Sequence, residues 1–278
     1  MPELLVTLKL PIDIKRTLQL LFDAHNASFP NSIMSMNNHN LNTTSLPITC
    51  MIWNTQGTGS REFINVLKEI VRVNKPCVLA LVETHMGGDH AQKIASILNY
   101  NGHTRVDAQG YSGGIWIYWK PELVKFRGTF TAIYASPDPS KRSELWYEFR
   151  KFADNNNQPW LLAGDFNETR YSWERNSSCP ETSRRSERFN AWVDDTQLLE
   201  LEFSGPSHTW ARGNSYDTYQ SARLDRALCN SEWGLRFDLA RVKHFASAAI
   251  RPYPLFISPN GFSPLSNISK PFAFKQHG

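Results

Sequence analysis

Three short apolar runs, each closing on an oxygen-bearing side chain, constrain this chain more than any other feature. ITCMIW (48–53) ends on Asn54, VLALV (78–82) ends on Glu83, and WLLAG (160–164) ends on Asp165, with Asn167 two residues further. Apolar runs of this length fit strands buried on both faces. Strands ending on carboxylates or carboxamides bring those groups to one edge of a sheet, where ligands bind in α/β folds. Any one of these residues is explained as well by a simple strand-end cap; three at a common edge favour a site. Hard oxygens gathered this way suit Mg²⁺, which takes one or two carboxylates and fills its shell with water and substrate phosphates.

Between and after these runs, helical and strand-like patterns alternate. Ser60 can cap a helix that places Phe63, Val66, Leu67, Ile70 and Val71 on one face, and Ser140 can start another with Leu145, Trp146, Phe149 and Phe152 inward. Short β candidates follow around 207–211, 222–228, 242–246 and 254–257. With no internal repeat, this mixture gives an α/β or α+β chain. Residues 1–46 read as an N-terminal appendage: Ile14, Leu18 and Leu21 suggest a short amphipathic helix over 12–22, and MNNHNLNTTS (36–45) a polar linker. The folded body is expected over 47–258, and the Pro/Ser/Asn-rich 259–278 as a C-terminal linker.

Composition narrows the class less sharply. Nine Trp and sixteen Phe suit a two-sheet core with heavy aromatic packing. A formal net charge of +4 is compatible with nucleic-acid binding but well short of a strongly basic signature, so charge alone decides nothing. Cys50, Cys77, Cys179 and Cys229 are far apart and form no CxxC pair, which argues for reduced, mostly buried thiols over zinc or disulfides. No apolar stretch is long enough to span a bilayer, and Glu3, Lys9 and Pro11 interrupt any signal-peptide core. An intracellular protein without membrane association is expected, and the sequons at Asn26, Asn42, Asn176 and Asn267 then read as chance.

The motifs carry more. WNTQG (53–57), LVETH (81–85), GYSGGIWIYW (110–119), FTAIYASP (130–137), LW (145–146), PWLLAGDFNE (159–168), HTWARG (208–213), RLDRAL (223–228), the HF of VKHF (242–245) and KPFAFK (270–275) occur in this order. In this the chain resembles the endonuclease/exonuclease/phosphatase superfamily, and within it the endonuclease domain of plant LINE-type (non-LTR) retrotransposons. The resemblance implies an α/β fold: a two-sheet β-sandwich flanked by helices in four layers. It also implies a Mg²⁺- or Mn²⁺-dependent endonuclease that hydrolyses DNA phosphodiesters, monomeric and nuclear.

Carried over position by position, Glu83 becomes the principal metal ligand with Asn54 assisting. Asp165 and Asn167 orient the attacking water and the scissile phosphate, Tyr134 hydrogen-bonds a phosphate oxygen, and Asp225 supports the catalytic His. Read without the motifs, Tyr134 is an ordinary strand aromatic and Asp225 a salt-bridge partner of Arg223 or Arg226. Arg184, Arg185 and Arg188 fall in the stretch after GDFN, expected as a loop, as contacts to a DNA backbone or as a solvated basic patch. Trp210 is expected to pack beneath the site on the substrate side. Gly113-Gly114 lacks a P-loop Lys-Ser/Thr and reads as a turn, and His85 and His208 lie off the family's catalytic position.

Two segments depart from the family pattern. The closing Ser-Asp-His motif falls here on Ile250-Arg251-Pro252, just before an apolar strand candidate. Pro has no side-chain group to exchange a proton, and Arg is cationic where an anion belongs. From Trp119 to Phe130 the chain has only KPELVKFRGT, leaving one internal strand missing. Both fit the decay of a mobile-element copy or an altered gene model. Three readings follow: an endonuclease with impaired turnover, a non-catalytic remnant that binds DNA weakly, and, ranked last, a lipid or inositol phosphatase on the same scaffold.

Overall fold

The computed structural model describes residues 17–22, 48–108, 113–124, 128–177, 179–213, 215–245 and 252–262; Arg251 lies outside them. In chain order the elements are β1 (Thr17–Phe22), β2 (Cys50–Asn54), α1 (Arg61–Asn74), β3 (Val78–Val82), α2 (Asp89–Leu98), β4 (Gly102–Val106), β5 (Ile115–Trp119), β6 (Gly128–Tyr134), α3 (Pro139–Asn155) and β7 (Trp160–Asp165). A 3₁₀ turn (Ser172–Glu174) precedes α4 (Pro180–Asp195). Then come β8 (Leu199–Glu200), β9 (Phe203–Ser204), β10 (Trp210–Arg212), β11 (Gln220–Ala222), β12 (Asp225–Cys229), α5 (Ser231–Arg236), β13 (Arg241–His244) and β14 (Leu255–Ser258).

One sheet runs β1-β6-β7-β12-β8 and the other β4-β5-β3-β2-β14-β13-β9, with β10 and β11 forming a separate hairpin. Alternation along each strand divides the side chains between two faces. Cys50, Ile52, Val78, Ala80, Val82, Phe130, Ala132, Leu161, Ala163, Ala227 and Cys229 meet between the sheets. On the far side of one sheet, Met51, Trp53, Leu79 and Leu81 pack with α1 and α2 residues such as Leu67 and Ile94. On the far side of the other, Ile133, Trp160, Leu162 and Leu228 pack with Trp146, Phe149, Phe189 and Trp192 of α3 and α4. The result is the expected helix–sheet–sheet–helix sandwich, and strands covered on both faces explain why their sequences are apolar runs rather than alternating ones.

Three expectations need correction. Residues 17–22 form a strand, not part of a helix, paired antiparallel with β6 from Thr17↔Ile133 to Phe22↔Gly128. A short isolated helix is marginal, whereas an open sheet edge satisfies the same backbone groups. This strand also occupies the flank of β6 where the 120–127 stretch supplies none among the described residues. The basic stretch after GDFN is not a loop: Arg184, Arg185 and Arg188 lie on α4, which begins with Pro180 in the first turn. The helix of 140–155 is capped by Asp138, whose side chain accepts from the Ser140 amide. The cysteines follow the expectation of mostly buried thiols: Cys50, Cys77 and Cys229 are buried and free, and Cys179 is free and exposed.

Candidate active site

Inward alternation brings the site together. In β2, Cys50 and Ile52 face the inter-sheet core, and Asn54 continues that parity. In β7, Leu161 and Ala163 do the same and Asp165 follows. Tyr134 ends the inward series of β6, and Asp225 begins that of β12. Register does the rest: Asp165 lies opposite both Tyr134 and Asp225 within its sheet. The Asn54 Nδ2 donates across the gap between sheets to Asp165 Oδ2 at 3.0 Å.

Glu83 breaks the pattern. Leu79 and Leu81 face the helices, so a continued strand would send Glu83 the same way. Instead its backbone is left-handed (φ 56°), a conformation costly for a non-glycine residue and concentrated at functional sites. The turn aims its carboxylate at the cluster, where Tyr134 Oη donates to Oε1 at 3.0 Å. His85 is left-handed too, and its Nε2 lies 3.5 Å from the same oxygen.

Asn167 has φ 51°; its amide N–H donates to Asp165 Oδ1 (2.8 Å) and its Nδ2 to the Ala135 carbonyl (2.8 Å). Gly164 is required beside them, since a Cβ there would collide with the Ile133 carbonyl at φ 135°. The next residue, Glu168, is buried and held by Arg142 Nε (2.8 Å) and by Arg185 Nε and NH2 (3.2 Å each). Arg185 thus braces the Asn167 loop, also donating to the Asn167 carbonyl (3.3 Å), while the exposed Arg184 pairs with Glu181.

The carboxylates are electrostatically frustrated. Burial, then the neighbouring Asp225, raises the pKa of Asp165, against the opposing bonds from the Asn167 amide and Asn54. Burial likewise raises Asp225, with the Thr209 hydroxyl and Arg226 holding it down. The nearby guanidiniums are engaged elsewhere: Arg223 and Arg226 pair with Glu174 and Glu200 rather than with Asp225. Buried like charges of this kind are relieved by a cation. The donors, Glu83 and Asp165 with the Asn54 amide oxygen, are hard oxygens, and the residues present fit a divalent ion that keeps water and substrate in its shell. Among the described residues, no group of three or more His, Cys, Asp and Glu is placed to hold a metal ion by itself, so the fit rests on two carboxylates and an amide oxygen.

Thr209 was not singled out from the sequence, although it stands inside HTWARG. Its oxygen accepts from the Leu224 and Asp225 amides (3.1 Å each), fixing the start of β12. Arg142 and Glu168 were missed because an arginine on an amphipathic helix reads as solvated. Trp210 does not sit beneath the cluster; it is half-buried in β10 and lines a cleft of about 250 Å³ with His208, Tyr219 and Tyr253. His208 is structural, bonded to Ser221 and to the Trp173 carbonyl. Of the degenerate triplet, Ile250 and Arg251 lie outside the described residues; β14 runs antiparallel to β2 with Leu255 opposite Ile52, so Pro252, which precedes β14, lies toward the Asn54 end. There Pro252 is buried and its carbonyl accepts from Trp53 Nε1 at 3.0 Å.

Comparison with known proteins matches this geometry. No curated protein matches the sequence. Among solved structures, the chain is similar to the AP endonuclease LMAP from Leishmania major, with 14% identity, 76% of this chain and 87% of that one covered, and a TM-score of 0.58. The 3′-5′ exonuclease NExo from Neisseria meningitidis gives 17% identity, 75% and 98% coverage and a TM-score of 0.57. The endonuclease domain of TRAS1, a telomere-specific non-LTR retrotransposon, gives 13%, 76% and 98%, and 0.52. At such identities these likenesses concern the fold. The endonuclease/exonuclease/phosphatase family profile matches residues 51–241, from the second residue of β2 to the first of β13. With strands, site and profile in one order, the chain belongs to the endonuclease/exonuclease/phosphatase family.

Proposed function

We propose that this chain is a retrotransposon-derived, Mg²⁺- or Mn²⁺-dependent phosphodiesterase that acts on DNA, with turnover impaired by its altered closing motif. The observation that carries the reading is the cross-sheet cluster of Asn54, Glu83, Tyr134, Asp165, Asn167 and Asp225, acidic, largely buried and with no Lys or Arg ion pair to Glu83, Asp165 or Asp225 among the described residues. A bound divalent ion would polarise the phosphate and stabilise the leaving oxygen. Glu83 and Asn54 would hold it. Asp165, held in place by the Asn54 amide and the Asn167 N–H, would with Asn167 orient the attacking water. The Asn167 side chain and Tyr134 hydroxyl would orient the phosphate oxygens.

A second reading has its own support. Pro252 stands where an acid–base side chain is expected and contributes only a carbonyl, already used by Trp53. General acid–base groups contribute ~10²–10⁴-fold to rate, and groups acting together are lost together. That favours a DNA-binding remnant with little or no turnover. A lipid or inositol phosphatase on the same scaffold ranks third, against the motif wording of WNTQG, FTAIYASP and RLDR.

Nicking of supercoiled plasmid in Mg²⁺, with an EDTA control, separates the first two. We expect weak nicking that Glu83→Ala abolishes and that Arg251→Asp/Pro252→His raises by about 10²-fold or more. Nicking confined to the doubly altered chain would establish the remnant reading; no nicking by either chain, with no DNA binding, would remove DNA as the substrate.

A further inference from the structure

Beyond the catalytic cluster, one surface combines features that have no role in the fold. The 3₁₀ turn after Arg170 presents Tyr171 and Trp173, 45% and 53% exposed, with rings inclined by only 11° and centroids 6.0 Å apart. Trp173 in turn lies nearly parallel to Phe203 (14°, centroids 6.4 Å apart), which is itself covered by His244 and Arg223, so Tyr171 and Trp173 are the exposed members of the stack. Large aromatics half open to water are not what a 3₁₀ turn needs. The turn itself is rigid: Glu174 is fully buried against Arg223 and Arg226, its side chain also accepts from the Arg170 amide, and the Trp173 carbonyl is bonded to His208.

Beside the shelf opens a cleft of about 190 Å³ lined by Tyr171 and by Thr169, Ser172, Thr182 and Ser183, with a single carboxylate, Glu187; the Thr169, Thr182 and Ser183 hydroxyls are bonded to Ser186 and to the Cys179 carbonyl. Arg175 also lines it. Its Nε is buried with no hydrogen-bond partner, and its guanidinium has no carboxylate partner among the described residues. A buried, unsatisfied charged donor next to hydroxyls is a seat for an anion. The cleft begins at Thr169, two residues after Asn167.

We propose that the Tyr171–Trp173 shelf and the Arg175 cleft form a subsite for an unpaired nucleotide, its base stacked on the aromatic faces and its phosphate against Arg175. A base within a duplex has both faces covered and cannot stack on this shelf, so the subsite selects single-stranded or frayed DNA. The inference rests on the reading of the cluster as a DNA-processing site and names which form of DNA it takes.

Fluorescence anisotropy with a labelled oligothymidylate and a labelled duplex, both in EDTA, tests it without turnover. Stacking on aromatics is worth ~1–3 kcal/mol per base, so Trp173→Ala should weaken single-strand binding about tenfold or more. Tyr171→Ala should act in the same direction, Trp173→Phe should retain most of the affinity, and duplex binding should change less than about twofold. Unchanged melting curves identify folded variants, as expected for exposed side chains. Equal losses on both DNA forms, or no loss on either with duplex binding intact, would overturn this subsite alone. Failure of the unaltered chain to bind any DNA would overturn it together with the DNA reading.

Discussion

His244 shows how a residue can be named from a motif while its chemistry stays hidden. VKHF marked it for its place in the family order; the structure gives it a stability role. The ring is buried, stacks on Phe203 at 4.7 Å, and has Nδ1 2.7 Å from the Pro206 carbonyl, which fixes the proton on Nδ1. Nε2 is then a buried lone pair with no partner, and a second proton there would meet no acceptor. Burial, helped by Arg223 and Arg226 and opposed by the Pro206 carbonyl and Glu200, lowers the pKa from 6.5 to about 4. Between those values the unfolded chain binds a proton that the native one refuses. Stability should therefore fall as pH drops from about 6.5 to about 4, by up to ~3 kcal/mol at ~1.4 kcal/mol per unit, and level off below. Urea melts of the unaltered chain and His244→Gln across that range check it; parallel pH profiles would refute the assignment. Glu83 is the complementary case. LVETH singled it out as a candidate, but its direction was not readable there, because strand parity sends it outward and only the left-handed turn brings it to Tyr134.

At the scale of elements, runs that must be buried on both faces were legible almost to the residue. VLALV is β3 as read, and WLLAG extends by one residue to include Asp165. Elements whose burial depends on distant partners were not. Helix α4 has few apolar positions, and Phe189, Trp192 and Val193 become core only because Trp146 of α3 packs against them. The same holds for β1, whose TLQLLF pattern fits a helix or a strand until β6 offers an edge. β6 is buried along its whole length, and an open edge of that kind is a template for pairing with another chain. Deleting residues 1–22 should leave the sandwich folded but more prone to self-association, seen as species larger than those of the full chain by light scattering. A truncated chain that forms no larger species, with an unchanged melting temperature, would mean that β1 contributes nothing to that edge.

The whole molecule carries a modest charge, +4 formally, and its arginines are mostly occupied. Arg142 and Arg185 hold Glu168; Arg170, Arg223 and Arg226 hold Glu174 or Glu200, so the cations nearest the site work on the protein rather than on a ligand. Among the described residues, Arg175, which lines one cleft, and Arg188 of α4 and Arg212 of β10 have no carboxylate partner. Composition could not settle nucleic-acid binding for this reason: pairing, not number, sets how many charges face outward. Each phosphate neutralised on duplex DNA contributes ~0.9 to the slope of log affinity against log salt. Phosphate contacts made by these three arginines alone give a slope near about −3, shallow for a DNA-binding protein, with aromatic stacking supplying the salt-insensitive remainder. Titrating salt against a labelled duplex in EDTA measures the slope directly. Changing Arg188 and Arg212 together to Gln should make it shallower by about 2, whereas the same change at Arg184, tied to Glu181, should leave it nearly unaltered. A slope steeper than about −6 for the unaltered chain would mean that the internal ion pairs open on binding, and that the site's arginines are DNA contacts after all.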